Sequence, residues 1–532
     1  MRKSLLFLLG VSLFIYMFSP VKVNAGNNIE EKVYCNASIE ENFIDNEIMV
    51  IVGKEKSLNY YEFKTMDFID IGCESIKDLT ESRKNEVLSA VNGAKNNVNI
   101  STFRRILLLT LNKNDKQNVL DCIKILEKRD DIISCEPNYG VLNASGPNIN
   151  TTLGYEIGTN NIIEQWAISK ISLQLAWNVE NYIDELENIN VGIIDYGIKA
   201  DESVGGVCEP ELIGKVNQNL SYNFITSTAI TDYNPLSEIS SAHGTFIAGI
   251  IAARSDDYFG IEGVSKTSRL VSLRVHLMDA DYNEQYECSE GVAQIINAIN
   301  YASVNNIKLL NASFIIPNYC AALKLSIENY SGLIVCCAGN YGTNNDTIQY
   351  YPASFDLDNV ISVGATDIND EKWESSNYGK TSVDLFAPGV NIISVGHMGQ
   401  QLTDEGFENY YISLGTSFAT PYVVGVAAMI WSRYPNLTAG EVKERILLNV
   451  DVIPGLENYC LTGGRLNAYK AYINEHTAHN YRYSLYDGDY HKKMCPGCNY
   501  SVYEEHDWVP LLRLPIVPSI ALVCNKCGER KL

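Results

Sequence analysis

The sequence predicts an α/β protein: a parallel sheet flanked by helices, preceded by a small α/β unit and followed by a small cysteine-rich module. Three observations carry this. Between about 165 and 475, apolar runs alternate with helical stretches: Val191 to Ile194, Leu270 to Val275, Ile307 to Leu310, Leu333 to Cys337 and Val360 to Val363. Strands that are apolar along their whole length and separated by helices are covered on both faces, the habit of parallel sheets. Ahead of this segment a shorter one has its own strand and helix signals, and the stretch joining the two is rich in Asn, Gly, Thr and Ser. Behind it, residues 476–532 turn polar, with Tyr, His and paired Cys.

The bulk numbers agree with several domains. At ~150 residues per domain, 532 residues exceed one core. The composition, 46% hydrophobic and 20% charged, is that of a globular protein. A formal net charge of −23 argues against a nucleic-acid partner, because phosphate binding needs a basic surface. Arg2 and Lys3 precede an apolar run from Leu5 to Phe18, and Val23-Asn24-Ala25 offers small residues for a cut after Ala25. Residues 1–25 therefore read as a secretory signal peptide, and the protein as secreted or held at the cell surface. The run is short of the ~20 residues of a spanning helix. Val509 to Val523 is broken by Arg513 and by Pro510, Pro515 and Pro518, so no membrane span is expected once the signal peptide is removed. Export permits disulfides among the fourteen cysteines, but their pairing cannot be read from sequence.

Residues 26–150 form the first folded unit with its linker. Ile48 to Val52 and Ile106 to Leu109 read as strands. Between Asp115 and Lys128, Val119, Ile123 and Leu126 recur at helical spacing, with Asn114 as cap and Gln117 as its capping-box partner. A strand from Ile132 to Cys135 leads into Glu136-Pro137-Asn138-Tyr139. Residues 140–164 lack periodicity, and an exposed connection of this kind is a natural place for a proteolytic cut.

Four pieces of the segment 151–475 carry chemistry. The strand Val191 to Ile194 ends in Asp195, at the end of a parallel strand where sites form. His243 opens a helix with Gly244, Ala248 and Gly249 as close-packing residues. Cys337-Ala338-Gly339-Asn340 ends a strand in a glycine and an amide donor. Gly415-Thr416-Ser417 precedes a nearly all-apolar helix, and Pro421 is tolerable only in a first turn, so Ser417 lies near the helix N-terminus. Alone, each has a bland reading as a cap, a structural histidine or a buried strand end.

Together, the order Asp195, His243, Asn340, Ser417 and the flanking residues resemble the subtilisin-like serine proteases, the subtilase family. Segments without chemistry reinforce this: Gly263-Val264-Ser265, Tyr351-Pro352-Ala353-Ser354, Val360 to Ala365 and Phe386-Ala387-Pro388-Gly389-Val390. The resemblance implies a secreted serine endopeptidase with a subtilisin-like sheet. Ser417 would be its nucleophile, His243 the base and Asp195 the orienting acid; Asn340 and the Ser417 N–H would form the oxyanion hole. It implies Ser313, Phe314, Ile315, Ala338 and Gly339 as substrate-binding residues, protein or peptide substrates, and residues 26–150 as a ferredoxin-like propeptide whose end, Cys135 to Tyr139, occupies the active-site cleft and inhibits its own enzyme until self-cleavage within 140–164. Calcium is a further ion the resemblance allows, with no site located in the sequence.

Departures mark where family properties do not carry over. Tyr196 stands where the family has a small hydroxyl residue. Ile315 replaces a glycine, which projects a β-branched side chain where substrate backbone approaches. Phe418 replaces a methionine beside the nucleophile; without that thioether the site lacks a sulfoxide-forming group, which predicts tolerance to peroxide. In the module 476–532, Cys495, Cys498, Cys524 and Cys527 form two CxxC pairs suited to structural zinc, as in zinc ribbons, with disulfides as the competing state. A non-catalytic binding protein on the same scaffold is the alternative function. A zinc hydrolase is excluded by the lack of an HExxH motif.

Overall fold

The computed structural model describes residues 32–474 apart from 93–98, 144–163, 182, 184, 200–208, 226, 230–241, 255–259, 276–290, 397–399, 404–406 and 408, together with the backbone of six short strands between Arg482 and Lys531. The signal-peptide expectation, residues 1–25, lies outside the described residues.

The N-terminal unit is a four-stranded antiparallel sheet of β1 (Phe43–Val52), β2 (Cys73–Asp78), β3 (Ile106–Leu111) and β4 (Ile132–Tyr139), in the order β2-β3-β1-β4. The Lys116–Leu126 helix packs on β1 and β4 and buries Val119, Cys122, Ile123 and Leu126. Its cap is Asp115 rather than Asn114: the Asp115 carboxylate accepts the Gln117 N–H at 3.0 Å. Asn114 is diverted, since its carbonyl accepts from Asn46 Nδ2 at 3.0 Å. Strand β4 runs on through Pro137, which an edge strand tolerates because its missing N–H would face no neighbour. A two-residue strand, β5 (Leu142–Asn143), follows.

The large sheet comprises β6 (Ile189–Asp195), β7 (Tyr222–Asn223), β8 (Thr228–Ala229), β9 (Ser268–Arg274), β10 (Leu309–Ala312), β12 (Leu333–Cys337), β13 (Val360–Thr366), β14 (Leu385–Pro388), β18 (Asp451–Val452) and β19 (Gly464–Arg465). Between β10 and β12 lies β11 (Phe314–Ile315), and before β18 come β15 (Ile392–Val395), β16 (Gln400–Gln401) and β17 (Tyr410–Ser413), a separate small sheet. The order is β18-β19-β14-β13-β12-β10-β6-β9-β7-β8, parallel from β19 to β7, with an antiparallel strand at each edge.

Alternate side chains divide this sheet between two cores, as the two-residue period of a strand requires. Val191, Ile193, Leu309, Leu333 and Val335 face the Ala242–Ala252 and Thr416–Arg433 helices. Ile194, Leu310, Ile334 and Cys336 face the Val292–Val304 and Ala321–Glu328 helices, and the core of the N-terminal unit is continuous with that side. Both faces are thus covered, which explains why the strands are apolar throughout. Every residue from Thr416 to Ser432 is buried. At ~1.5–3 kcal/mol per large apolar side chain, this helix anchors the domain and leaves its first turn little freedom.

Strand β6 has β9 on one side and β10 on the other, so the chain order reverses at its carboxyl end, where Asp195 stands. Beyond residue 474, β20 (Arg482–Leu485), β21 (Tyr490–Met494) and β22 (Ser501–Glu505) form one antiparallel sheet, and β23 (Trp508–Pro510), β24 (Leu522–Cys524) and β25 (Arg530–Lys531) another. Cys495, Cys498 and Cys527 of the expected zinc site lie outside the described residues, and Cys524 is described by its backbone alone. Among the described residues no helix is long and apolar enough to cross a membrane.

Candidate active site

Asp195 and His243 meet. The imidazole Nδ1 lies 2.8 Å from Asp195 Oδ2 and 3.0 Å from Oδ1, and both side chains are buried. The Tyr196 N–H donates to Asp195 Oδ1 at 2.8 Å, so the buried carboxylate is satisfied from two sides. With Nδ1 committed to the acid, the other ring nitrogen is the one able to exchange a proton. His243 Nε2 is buried and has no hydrogen-bond partner among the described residues.

Ser417 is the second residue of its helix and fully buried. Its Oγ lies 3.5 Å from Ser313 O, and no bond to His243 is made in this state. Pro421 sits in the second turn, not the first as the sequence suggests. It has no N–H to offer the Ser417 carbonyl four residues back, and Ser313 Oγ fills the vacancy by donating to Ser417 O at 3.1 Å. The helix tolerates this proline because a neighbouring strand end replaces the lost bond.

Asn340 is held by Thr416. The Thr416 N–H and hydroxyl donate to Asn340 Oδ1 at 2.9 and 2.8 Å, which turns the amide so that its Nδ2 faces away from Thr416. The Thr416 hydroxyl also accepts the Gly339 N–H at 3.2 Å. Gly339 has φ +110°, and a Cβ there would meet Asn377 Nδ2 at 2.4 Å, so only glycine fits. Gly415, at φ +149°, turns the chain into the nucleophile helix. Ala338 is buried in an apolar cluster with Val383, Phe386, Leu456 and Cys460.

Phe314 and Ile315 pair antiparallel with β5, the tail of the N-terminal unit, Phe314 opposite Asn143 and Ile315 opposite Leu142. The obstruction expected from Ile315 is not found: the backbones pair, while its side chain is buried against Cys337. The tail thus lies along the strand that runs out from Ser313, the residue touching Ser417.

Residues 187–474 match the subtilase family. Over 357 residues, 66% of this chain, it is 31% identical to a thermophilic serine proteinase of Bacillus sp. (strain AK1), covering 76% of that protein. Over 267 residues it is 33% identical to subtilisin DY of Bacillus licheniformis, covering 82% of that protein and 49% of this chain. The chain is a subtilase. It is accordingly a serine-type endopeptidase, and peptides are its substrates.

In this subtilase the N-terminal unit grips two helices of the protease domain by their ends. The buried Glu136 carboxylate accepts the N–H groups of Ala321 and Ala322 at 3.0 and 2.8 Å, with the Cys320 thiol 3.4 Å away, at the start of the Ala321–Glu328 helix. Arg83 donates to Asn329 O at 2.9 Å at the other end of that helix. Asn138 Oδ1 accepts the Ala293 N–H at 3.0 Å at the start of the Val292–Val304 helix. Acid at a helix start and base at a helix end both oppose the helix dipole.

The departures pack around the imidazole. The Tyr196 ring stands edge-on to His243 at 6.3 Å, and Phe418, fully buried, lies 5.5 Å from His243 and 4.5 Å from Phe246. Cys337 also touches Ser417, but burial pushes its thiol up to about 12, so it holds almost no reactive thiolate. We expect activity to survive an exposure to hydrogen peroxide that inactivates a Phe418→Met variant. Equal inactivation rates, followed by residual activity over time, would show that Phe418 protects nothing. Sequence reasoning missed Thr416 and Cys337 as partners of the site; of the stretch Cys135 to Tyr139, which the resemblance puts in the active-site cleft, Glu136 and Asn138 instead meet helix starts, and it is Leu142–Asn143 that pairs with the strand beside Ser417. Thr416, adjacent to Ser417, is the one whose position could have drawn notice. Among the described residues no group of three or more His, Cys, Asp or Glu is placed to hold a metal ion.

Proposed function

We propose that this subtilase is made as a secreted precursor, held inactive by its N-terminal unit, and matures by cutting its own chain just beyond Asn143. The observation that carries this reading is the pairing of Leu142–Asn143 with Phe314–Ile315, beside buried Ser417. An extended peptide added to a strand edge is how a protease presents substrate backbone. Here the chain presents its own.

In the reaction, Ser417 Oγ attacks the scissile carbonyl and His243 Nε2 takes its proton. Asp195 holds the Nδ1–H tautomer and stabilises the imidazolium. The Ser417 N–H and Asn340 Nδ2 receive the oxyanion. Collapse expels the amine, which takes the proton back from His243, and water then hydrolyses the acyl-enzyme by the same steps. The Ser417–His243 bond has to form on the way, and catalytic bonds commonly tighten only in the reacting complex. In this reading residues 1–25 direct export, 26–150 are propeptide and linker, 151–475 the protease, and 476–532 a module in which Cys495, Cys498, Cys524 and Cys527 would hold a structural zinc ion.

The test is to treat purified protein with a serine-reactive fluorophosphonate, map the adduct by peptide mass, and sequence the N-terminus. We expect the adduct on Ser417 and a new N-terminus within a few residues after Asn143. An unlabelled chain still carrying its N-terminal unit would instead favour a silent binding protein on this scaffold.

A further inference from the structure

A small apolar cluster beside Ser417 is already occupied by the chain's own tail. Ile315 and Cys337 are wholly buried, and Leu142 and Tyr350 pack against the cluster they form. The Cys337 thiol donates to Phe314 O at 3.5 Å and lies against the Thr416 and Ser417 side chains. The cluster therefore reaches from the strand that pairs with the tail to the first turn of the nucleophile helix.

Its walls are stiff. Ile315 is β-branched, which restricts its first side-chain torsion, and it sits in a strand. Tyr350 stacks on Tyr341 with ring centres 5.4 Å apart and planes 9° from parallel. Cys337, protonated and buried on β12, acts as a small apolar wall. Leu142 lies directly opposite Ile315 in the antiparallel pair, and opposite residues project on the same side.

We propose that Ile315, Cys337 and Tyr350 form an apolar pocket for one side chain, that Leu142 is its resident in the precursor, and that the pocket selects peptides with a leucine-sized residue at that position. This rests on reading the tail as substrate-like. Alanine leaves the pocket partly empty, and each missing methylene in such a pocket costs roughly 10–200-fold in specificity. Phenylalanine needs volume that the branched Ile315 side chain takes, and overfilling a well-packed site is also unfavourable.

The test uses mature enzyme and internally quenched peptides spanning residues 138–149 of this sequence, with Leu142 kept or changed to Ala or Phe. Relative to the Leu peptide, we expect kcat/KM to fall at least tenfold for Ala and at least tenfold for Phe. Ile315→Gly should lower the Leu-to-Phe ratio at least tenfold; should that variant fold poorly, Ile315→Ala reads the same ratio. Leu, Ala and Phe peptides cut within about threefold of one another by the unchanged enzyme would overturn the proposal. So would a ratio indifferent to truncation of Ile315. The peptides are supplied in trans, so the result is independent of self-cleavage, which intact mass reads separately.

Discussion

Ser417→Ala is expected to lower peptide turnover by about a million-fold and to leave the chain uncut beyond Asn143. The argument is one of atoms. Oγ is the atom 3.5 Å from Ser313 O in the first turn of the buried helix, and removing it deletes the nucleophile while sparing the Ser417 N–H. The backbone at 417 is fixed independently, since its carbonyl is held by Ser313 Oγ and its helix is buried from Thr416 to Ser432. The variant should therefore fold with an unchanged thermal midpoint, which separates lost chemistry from lost structure. Intact mass should show the N-terminal unit still attached, while added wild-type enzyme should cut it in trans. A purified variant that still processes itself at the wild-type rate would require another nucleophile.

What the sequence made legible follows from where each residue's role is decided. Asp195, His243 and Ser417 sit at a strand end and two helix starts, boundaries that local pattern marks well, and the structure brings the first two within 2.8 Å. The parallel sheet was legible because both its faces are buried, which writes continuous apolar runs. Errors arose where a distant partner decides the outcome. Pro421 lies a turn deeper than its own geometry suggests, because Ser313 replaces the missing donor. Asn114 loses the cap to Asp115 because Asn46 holds it. Ile315 does not obstruct, because Cys337 offers its side chain a buried place. No local pattern encodes that Glu136 meets a helix start 185 residues away.

That contact yields the second large effect. Glu136→Ala should weaken docking of the cleaved N-terminal unit by about 30- to 20,000-fold. Two buried helix N–H groups would lose their acceptor, and an unmet buried donor costs about 1–3 kcal/mol. In wild type, the fragment should co-elute with the protease after self-cleavage; in the variant it should separate on gel filtration, with activity appearing sooner. Co-elution unchanged by the substitution would move the grip to Asn138 and Arg83. The pH dependence has a definite sign. Burial, the largest influence, raises the Glu136 carboxyl above its usual range, and the bonds from Ala322, Ala321 and Cys320 oppose this only in part. The docked state then holds a proton more tightly than the released state. The contribution is fully present below the ordinary carboxylate value and is lost as pH rises through the raised one. Acid should therefore tighten this contact rather than open it. Fragment release should quicken from pH 5 to pH 8 in wild type and show a flatter profile in Glu136→Gln, where the titrating group is gone but one acceptor remains. A release rate that rises toward low pH in wild type would mean that another group governs activation.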